Sequence, residues 1–428
     1  MPLPQAEETA MTAPTLNRNA TMQDLIKVLR DQQARKLDVV VPASTPRFAN
    51  NNLVLPIGEA ELTEDGVTSL DGVYRVTDVF DQGASTRLNV PAGYLGRIRD
   101  ISWAPDHIYG QGGNTLYDHT LNALLANQPE ETRYLLRLFR SGEPDQDGYV
   151  GVARAMLTDS YKPIDHLDSL MAMLSGVRAA GVTVDIDSAD LTDSRMYVRV
   201  ACPQVAVLAP KLVEQYRSPF DHGIRRAGGW TLERAREAAG REGLGYEPGD
   251  EPVVFSGFIF KNSETGQGRF TIEPVAVIRV CRNGLTLPVG GMQRQHLGAK
   301  LDEGVWSDDT REKNLSLIAA QARDTVTAIL DEGYLTAQVR ELEKVADAPV
   351  SDAAETIKIV RTKLQFNESL QDSLLEHYMV SGQKTAAGIA NAMTSLAQTV
   401  EDADLADRLQ GKAVAAMHLV ASMAAAGN

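Results

Sequence analysis

Residues 253–287, VVFSGFIFKNSETGQGRFTIEPVAVIRVCRNGLTL, constrain this chain more than any other segment. Two β-rich runs, 253–260 and 269–282, flank a polar segment, 262–267, closed by Gly266 and Gly268. Turn chemistry between two such runs predicts a β-hairpin with a longer loop. The second run ends in Cys281-Arg282-Asn283-Gly284, where Asn-Gly supplies the positive φ of a tight turn. Lys261, Arg269, Arg279 and Arg282 lie along this hairpin, although the whole chain carries a net charge of -15. A basic hairpin in an acidic protein needs a cause.

The charge is segregated. Residues 256–300 hold six basic side chains against two acidic ones, whereas 331–428 hold fourteen acidic against eight basic. That division predicts a basic working surface and a solvating acidic C-terminal region, while the net charge argues against indiscriminate binding to nucleic acid or membrane. No apolar run approaches the roughly 20 residues needed to span a bilayer, so no membrane association is expected. The N-terminal stretch has neither a basic start nor an apolar core, and residues 1–20 are expected to be a disordered tail rather than a signal peptide. Two cysteines, Cys202 and Cys281, build no disulfide scaffold and sit in no zinc-ligand spacing. A reducing, cytoplasmic setting without cofactor is expected.

The hydrophobic patterning predicts an α+β fold: a mixed or antiparallel sheet with β-hairpins packed by helices, then a helical C-terminal region. A Thr-capped helix is expected over 21–37, a strand at 38–41, and helices over 90–99 and 116–139, the latter broken near Pro129. A strand at 150–157, a helix at 165–179 and a strand pair at 183–186 and 195–200 follow. In the last strand Met196, Val198 and Val200 alternate with Arg195, Tyr197 and Arg199. A long helix capped by Ser307 opens a helical run with further helices at 335–345, 352–364, 368–380, 385–400 and 404–424. The expected organisation is therefore a core domain over 21–335, with 218–250 as a mobile loop or insertion, and a helical region over 336–428.

Binding single-stranded nucleic acid takes cations that track phosphates and flat side chains on which bases stack. Arg154, Tyr161, Lys162, Arg195, Tyr197, Arg199, Lys261, Arg269, Arg279 and Arg282 supply both kinds within strands and turns, and His296 adds a phosphate contact. One continuous positive surface is expected, with Tyr161 and Tyr197 as stacking platforms. The alternative for these residues is a set of sheet faces solubilised by arginine. A second chemistry is a metal-dependent nuclease, since Asp185 and Asp187 would share a face of an ideal strand near Asp190 and Asp193. A third reading is a scaffold or host-interaction protein. No phosphate-binding P-loop is present.

The motifs Arg154-x-x-Leu157-x-Asp159-x-Tyr161, Asn262-Ser263-Glu264-x-Gly266, Cys281-x-Asn283-Gly284 and His296-x-Gly298 occur in this order. In that combination the chain resembles a phage- and plasmid-borne family of domain-of-unknown-function proteins, over about 76–398. The order of elements is also similar to the core of ring-forming single-strand annealing proteins, at the level of fold alone. These resemblances imply a phage- or plasmid-encoded protein of the host cytoplasm. It would bind or anneal single-stranded DNA in recombination or replication, without catalysis, as a homo-oligomer that lengthens a short groove.

Overall fold

The first helix shows how local signals set the frame. Thr21 accepts from the backbone of Asp24, whose carboxylate returns the bond to Thr21; this capping box satisfies two otherwise orphaned donors. Leu25 and Leu29, one helical turn apart, are fully buried, worth roughly 1.5–3 kcal/mol each. The computed structural model describes residues 16–56, 61–63, 66–68, 72–101, 115–141, 144–181, 184–213, 216–217, 231–233, 251–278, 285–288 and 308–426.

In chain order the elements begin β1 (Leu16–Ala20), α1 (Met22–Arg35), β2 (Lys36–Pro42), β3 (Arg47–Ala49) and β4 (Asn52–Leu55). A small separate pair, β5 (Glu61–Thr63) and β6 (Gly66–Thr68), precedes β7 (Gly72–Val76), α2 (Asp78–Leu88), α3 (Ala92–Ile98) and α4 (Leu116–Ala126). Next come β8 (Arg133–Arg140), β9 (Tyr149–Thr158), α5 (His166–Ala179), β10 (Asp185–Leu191), β11 (Met196–Leu208) and the short α6 (Pro210–Val213). The hairpin strands are β12 (Val253–Asn262) and β13 (Thr271–Ile278), followed by β14 (Leu285–Pro288). The helical part comprises α7 (Asp308–Ile329), α8 (Glu332–Ala346), α9 (Ala353–Lys363), α10 (Gln371–Ser381), α11 (Ala386–Leu396) and α12 (Ala403–Ala426).

The fold is α+β, as the patterning predicts, but it holds two large sheets rather than one. The first runs β1-β10-β11-β12-β13-β14 and is antiparallel throughout. The second runs β2-β8-β9-β7-β4-β3 and is mixed, because β7 and β9 are parallel. One core joins α2, α3 and α4 to the second sheet through residues such as Phe80, Tyr117 and Leu136. Another joins α1, α5 and α7 to the first sheet through Leu29, Met173, Val326 and Phe258. A third joins the C-terminal helices to Val207, Val254, Ala276 and Leu287 of the strands. The helical region after residue 335 therefore shares its core with the first sheet. In α11 every residue is buried, which its small Ala, Gly and Ser side chains allow by close approach of neighbouring helices.

Three expectations change here. Residues 16–20, expected in the tail, form β1 and pair with β10. The helix expected to run on to Phe139 stops at Ala126, and 133–140 is the strand β8. Its residues Tyr134–Phe139 are buried on both faces, so a continuous apolar run carries no period that separates helix from strand. Most of 218–250, along with Ser307, lies outside the described residues. Among the described residues no helix is long and apolar enough to cross a membrane.

Candidate functional site

The hairpin tip points inward. Asn262, Ser263, Glu264 and Thr265, a polar turn by sequence, are each at most 5% exposed. The Ser263 and Thr265 hydroxyls donate to the Ser194 carbonyl, and the Gln267 amide donates back to Ser263 Oγ. Gly266 sits at φ 75, where a side chain would be strained and would meet Leu157 at 2.8 Å. Asn262 Nδ2 donates to the Ile164 carbonyl and lies 3.1 Å from His166 Nδ1. With the amide oriented this way, Nδ1 accepts and the ring is neutral.

A buried charge network surrounds the tip. Glu264 accepts from Arg154 Nη1 at 2.8 Å and from the His166 backbone at the start of α5, where the helix dipole favours an anion. Arg137 grips Asp38 through both arms at 2.9 and 2.8 Å, reaches Asp165 at 2.6 Å, and donates to the Glu264 carbonyl at 3.0 Å. Lys36 closes the set on Asp165 at 2.8 Å. Three cations thus face three carboxylates, tying β2, β8 and β9 of the second sheet to the hairpin of the first. Arg154 owes its position to a β-bulge: Arg137 pairs with Ala155 and Leu138 with Ala153, leaving Arg154 as the extra residue. Its guanidinium lies 4.0 Å over the Phe139 ring.

The electrostatics favour a structural clasp over acid–base chemistry. Burial pushes the Glu264 carboxyl up, but the His166, Arg154 and Arg137 side outweighs it and holds Glu264 well below the usual range. Burial opposes ionisation of Asp165 too, yet Arg137 and Lys36 keep its carboxyl low. Burial drives the His166 imidazole down to about 4. Catalytic acids and bases work best with a pKa near the operating pH, and these groups sit away from neutrality. A cavity of about 10 Å³ between α1 and α5 reaches Arg154 and Glu264 past Gln32 and Lys36, room for roughly one water.

A pH effect follows from His166. Between pH 4 and about 6.5 the unfolded imidazole takes a proton that the folded one refuses. Stability should therefore fall as pH drops through that window, by up to about 1.4 kcal/mol per pH unit for one proton. The Glu264 and Asp165 contribution, present above ordinary carboxylate pKa values, is lost at lower pH still. Urea unfolding from pH 7 to 4 checks this: His166→Gln should flatten the 4–6.5 arm, and an unchanged slope would contradict it.

The other nominated residues divide sharply. Arg199 is 2% exposed and pairs with Asp190 at 2.6 Å, which Arg18 and the Asn19 amide also engage. Tyr197 is fully buried and its hydroxyl donates to Asp404 of α12. Lys261 is held by Glu273 at 2.6 Å and Asp407 at 2.7 Å. Arg195, about a third exposed, donates to the Gln267 carbonyl and approaches Asp404 at 3.8 Å. Arg269 is exposed, Tyr161 and Lys162 are half-buried, and Tyr161 lies against Gly266. Arg279, Arg282 and His296 lie outside the described residues.

The expected continuous positive surface is thereby corrected. Arg154 lies in the seam of the second sheet and Arg199 inside the first, each spent on an internal carboxylate, and Tyr197 presents no stacking face. The strand alternation is right for Arg195, Tyr197 and Arg199, but β1 and α12 contribute partners to that face. The paired-carboxylate geometry is also corrected: the register slips between Ile186 and Ser188, which breaks the alternation that would relate Asp185 to Asp187. Among the described residues no group of three or more His, Cys, Asp or Glu side chains is placed to hold a metal ion. Compared with known proteins, the chain matches no family model, no curated protein and no solved structure.

Lys36, Asp38, Arg137, Asp165 and Glu264 escape the sequence reading as a group. One signal for them exists: Arg137 and Arg154 each interrupt an otherwise apolar β-run, and a buried charge must find a partner.

Proposed function

We propose that the protein binds single-stranded DNA without catalysis, and that oligomers of it promote annealing in phage- or plasmid-linked recombination or replication. The observation that carries this reading is a convergence around the loop 265–269. With the interior cations set aside, Arg195 lies within 2.9 Å of where a Cβ on Gly268 would sit. Arg269 follows in sequence and is exposed, while Tyr161 and its neighbour Lys162 border the same loop through Gly266. Cations beside an aromatic on one short loop suit a phosphate backbone with adjacent bases. In a chain of net charge -15, such a patch confines polyanion contact to one place. A patch this short gains from several copies acting on one strand, which is why assembly belongs to the proposal.

A salt titration of binding to a labelled single-stranded oligonucleotide tests it. Arg195→Gln with Arg269→Gln should lower the slope of log affinity against log salt by about 1.4, or 0.7 per phosphate lost, alike across base sequences. Absence of salt-dependent binding by the unaltered protein would overturn the reading and favour the scaffold role. Cleavage of the oligonucleotide only with Mg²⁺ would favour the nuclease instead.

A further inference from the structure

Helix α12 has two faces. Ala406, Leu409, Ala413, Ala416, Met417 and Val420 form a buried stripe in the core of the C-terminal helices. Asp404 and Asp407, three residues apart and so neighbours on the helix surface, project from another side toward the first sheet. There Asp404 accepts from Ser194 Oγ at 3.1 Å and from Tyr197, and approaches Arg195. Asp407 takes Lys261 at 2.7 Å. The N-terminal turn of α12 does not need either carboxylate as its cap, because Asp402 Oδ1 accepts from the backbone of Asp404 and Leu405. The two carboxylates are thus free to serve the sheet alone.

We propose that Asp404 and Asp407 are an internal competitor for the polyanion, occupying Arg195 and Lys261 where two DNA phosphates would otherwise sit. This rests on the single-strand reading above and adds a regulatory layer to the same surface. The apolar stripe keeps α12 anchored, so relief needs only a local exchange of carboxylate for phosphate, not opening of the core. The folded protein on its own is then a weakened binder, and whatever draws the first turn of α12 away strengthens it.

The test is a salt titration of single-stranded oligonucleotide binding by the full chain, comparing the unaltered protein, Asp404→Asn with Asp407→Asn, and Glu341→Gln with Glu355→Gln. The last variant makes the same charge change at exposed positions on α8 and α9. The expected result is tighter binding by the α12 variant alone, with a slope steeper by about 1.4 as two cations become available to phosphate. Equal slopes for the α12 variant and the unaltered protein, where the latter binds, overturn this inference and leave the binding reading intact. Equal strengthening by the α8 and α9 variant also overturns it, since net charge would then suffice. If no variant binds at low salt, the single-strand reading fails and this inference with it. Should the double variant unfold, Asp407→Asn alone gives the same comparison with an expected slope change of about 0.7, because Glu273 still holds Lys261 in place.

Discussion

Arg137→Leu is expected to cost about 3–5 kcal/mol of folding stability, the range for removing one partner of a buried ion pair. Arg137 is completely buried and serves Asp38, Asp165 and the Glu264 carbonyl together. Burial opposes its charge, but the three acids more than compensate and raise its pKa further, so it stays protonated at every working pH. Leucine would leave Asp38 and Asp165 with Lys36 as their remaining close cation. Chemical unfolding should show a lower midpoint at an unchanged denaturant slope. A loss below about 1 kcal/mol would mean that the seam is wetter and less demanding than its geometry indicates.

Glu264→Gln is the second large effect, expected at roughly 3 kcal/mol. The amide keeps the shape of the side chain, so packing around Ser263 and Thr265 survives. What changes is the balance: three buried cations then face two carboxylates. Adding Arg154→Met restores equal numbers, Lys36 and Arg137 against Asp38 and Asp165. The double variant should lose less than the sum of the two singles, with a coupling of about 1–3 kcal/mol. Strict additivity would show that Arg154 and Glu264 act independently despite their 2.8 Å contact.

The contrast between these interior cations and the exposed ones shows how far sequence can be read. The C-terminal helices from α8 to α12 follow from periodicity and local caps such as Asp331 and Asp352, signals contained within a few residues. The β12–β13 hairpin follows from its turn residues for the same reason. What sequence hides is the destination of the turn. Ser263-Glu264-Thr265 has the composition of a solvated loop and becomes interior because Arg137 and Arg154, more than 100 residues earlier, wait there. The bulge at Arg154 leaves no mark in the pattern of Val150–Leu157, since both faces of β9 are apolar. The pairing of Tyr197 and Lys261 with Asp404 and Asp407 is equally long-range. Charge segregation hints at it, because the acidic region and the basic strands are the two halves of one contact.

The central claim is a division of labour: interior arginines hold the two sheets together, and the cations around the loop 265–269 bind single-stranded DNA. Measuring folding stability and the salt slope of oligonucleotide binding together, for Arg154→Met and Arg269→Gln, tests it most directly. Arg154→Met should lower stability by about 3 kcal/mol or more and, at a temperature where it stays folded, keep the slope of the unaltered protein. Arg269→Gln should leave stability within about 0.5 kcal/mol and reduce the slope by about 0.7. A folded Arg154→Met protein with a reduced slope, beside an Arg269→Gln protein with none, would contradict the account.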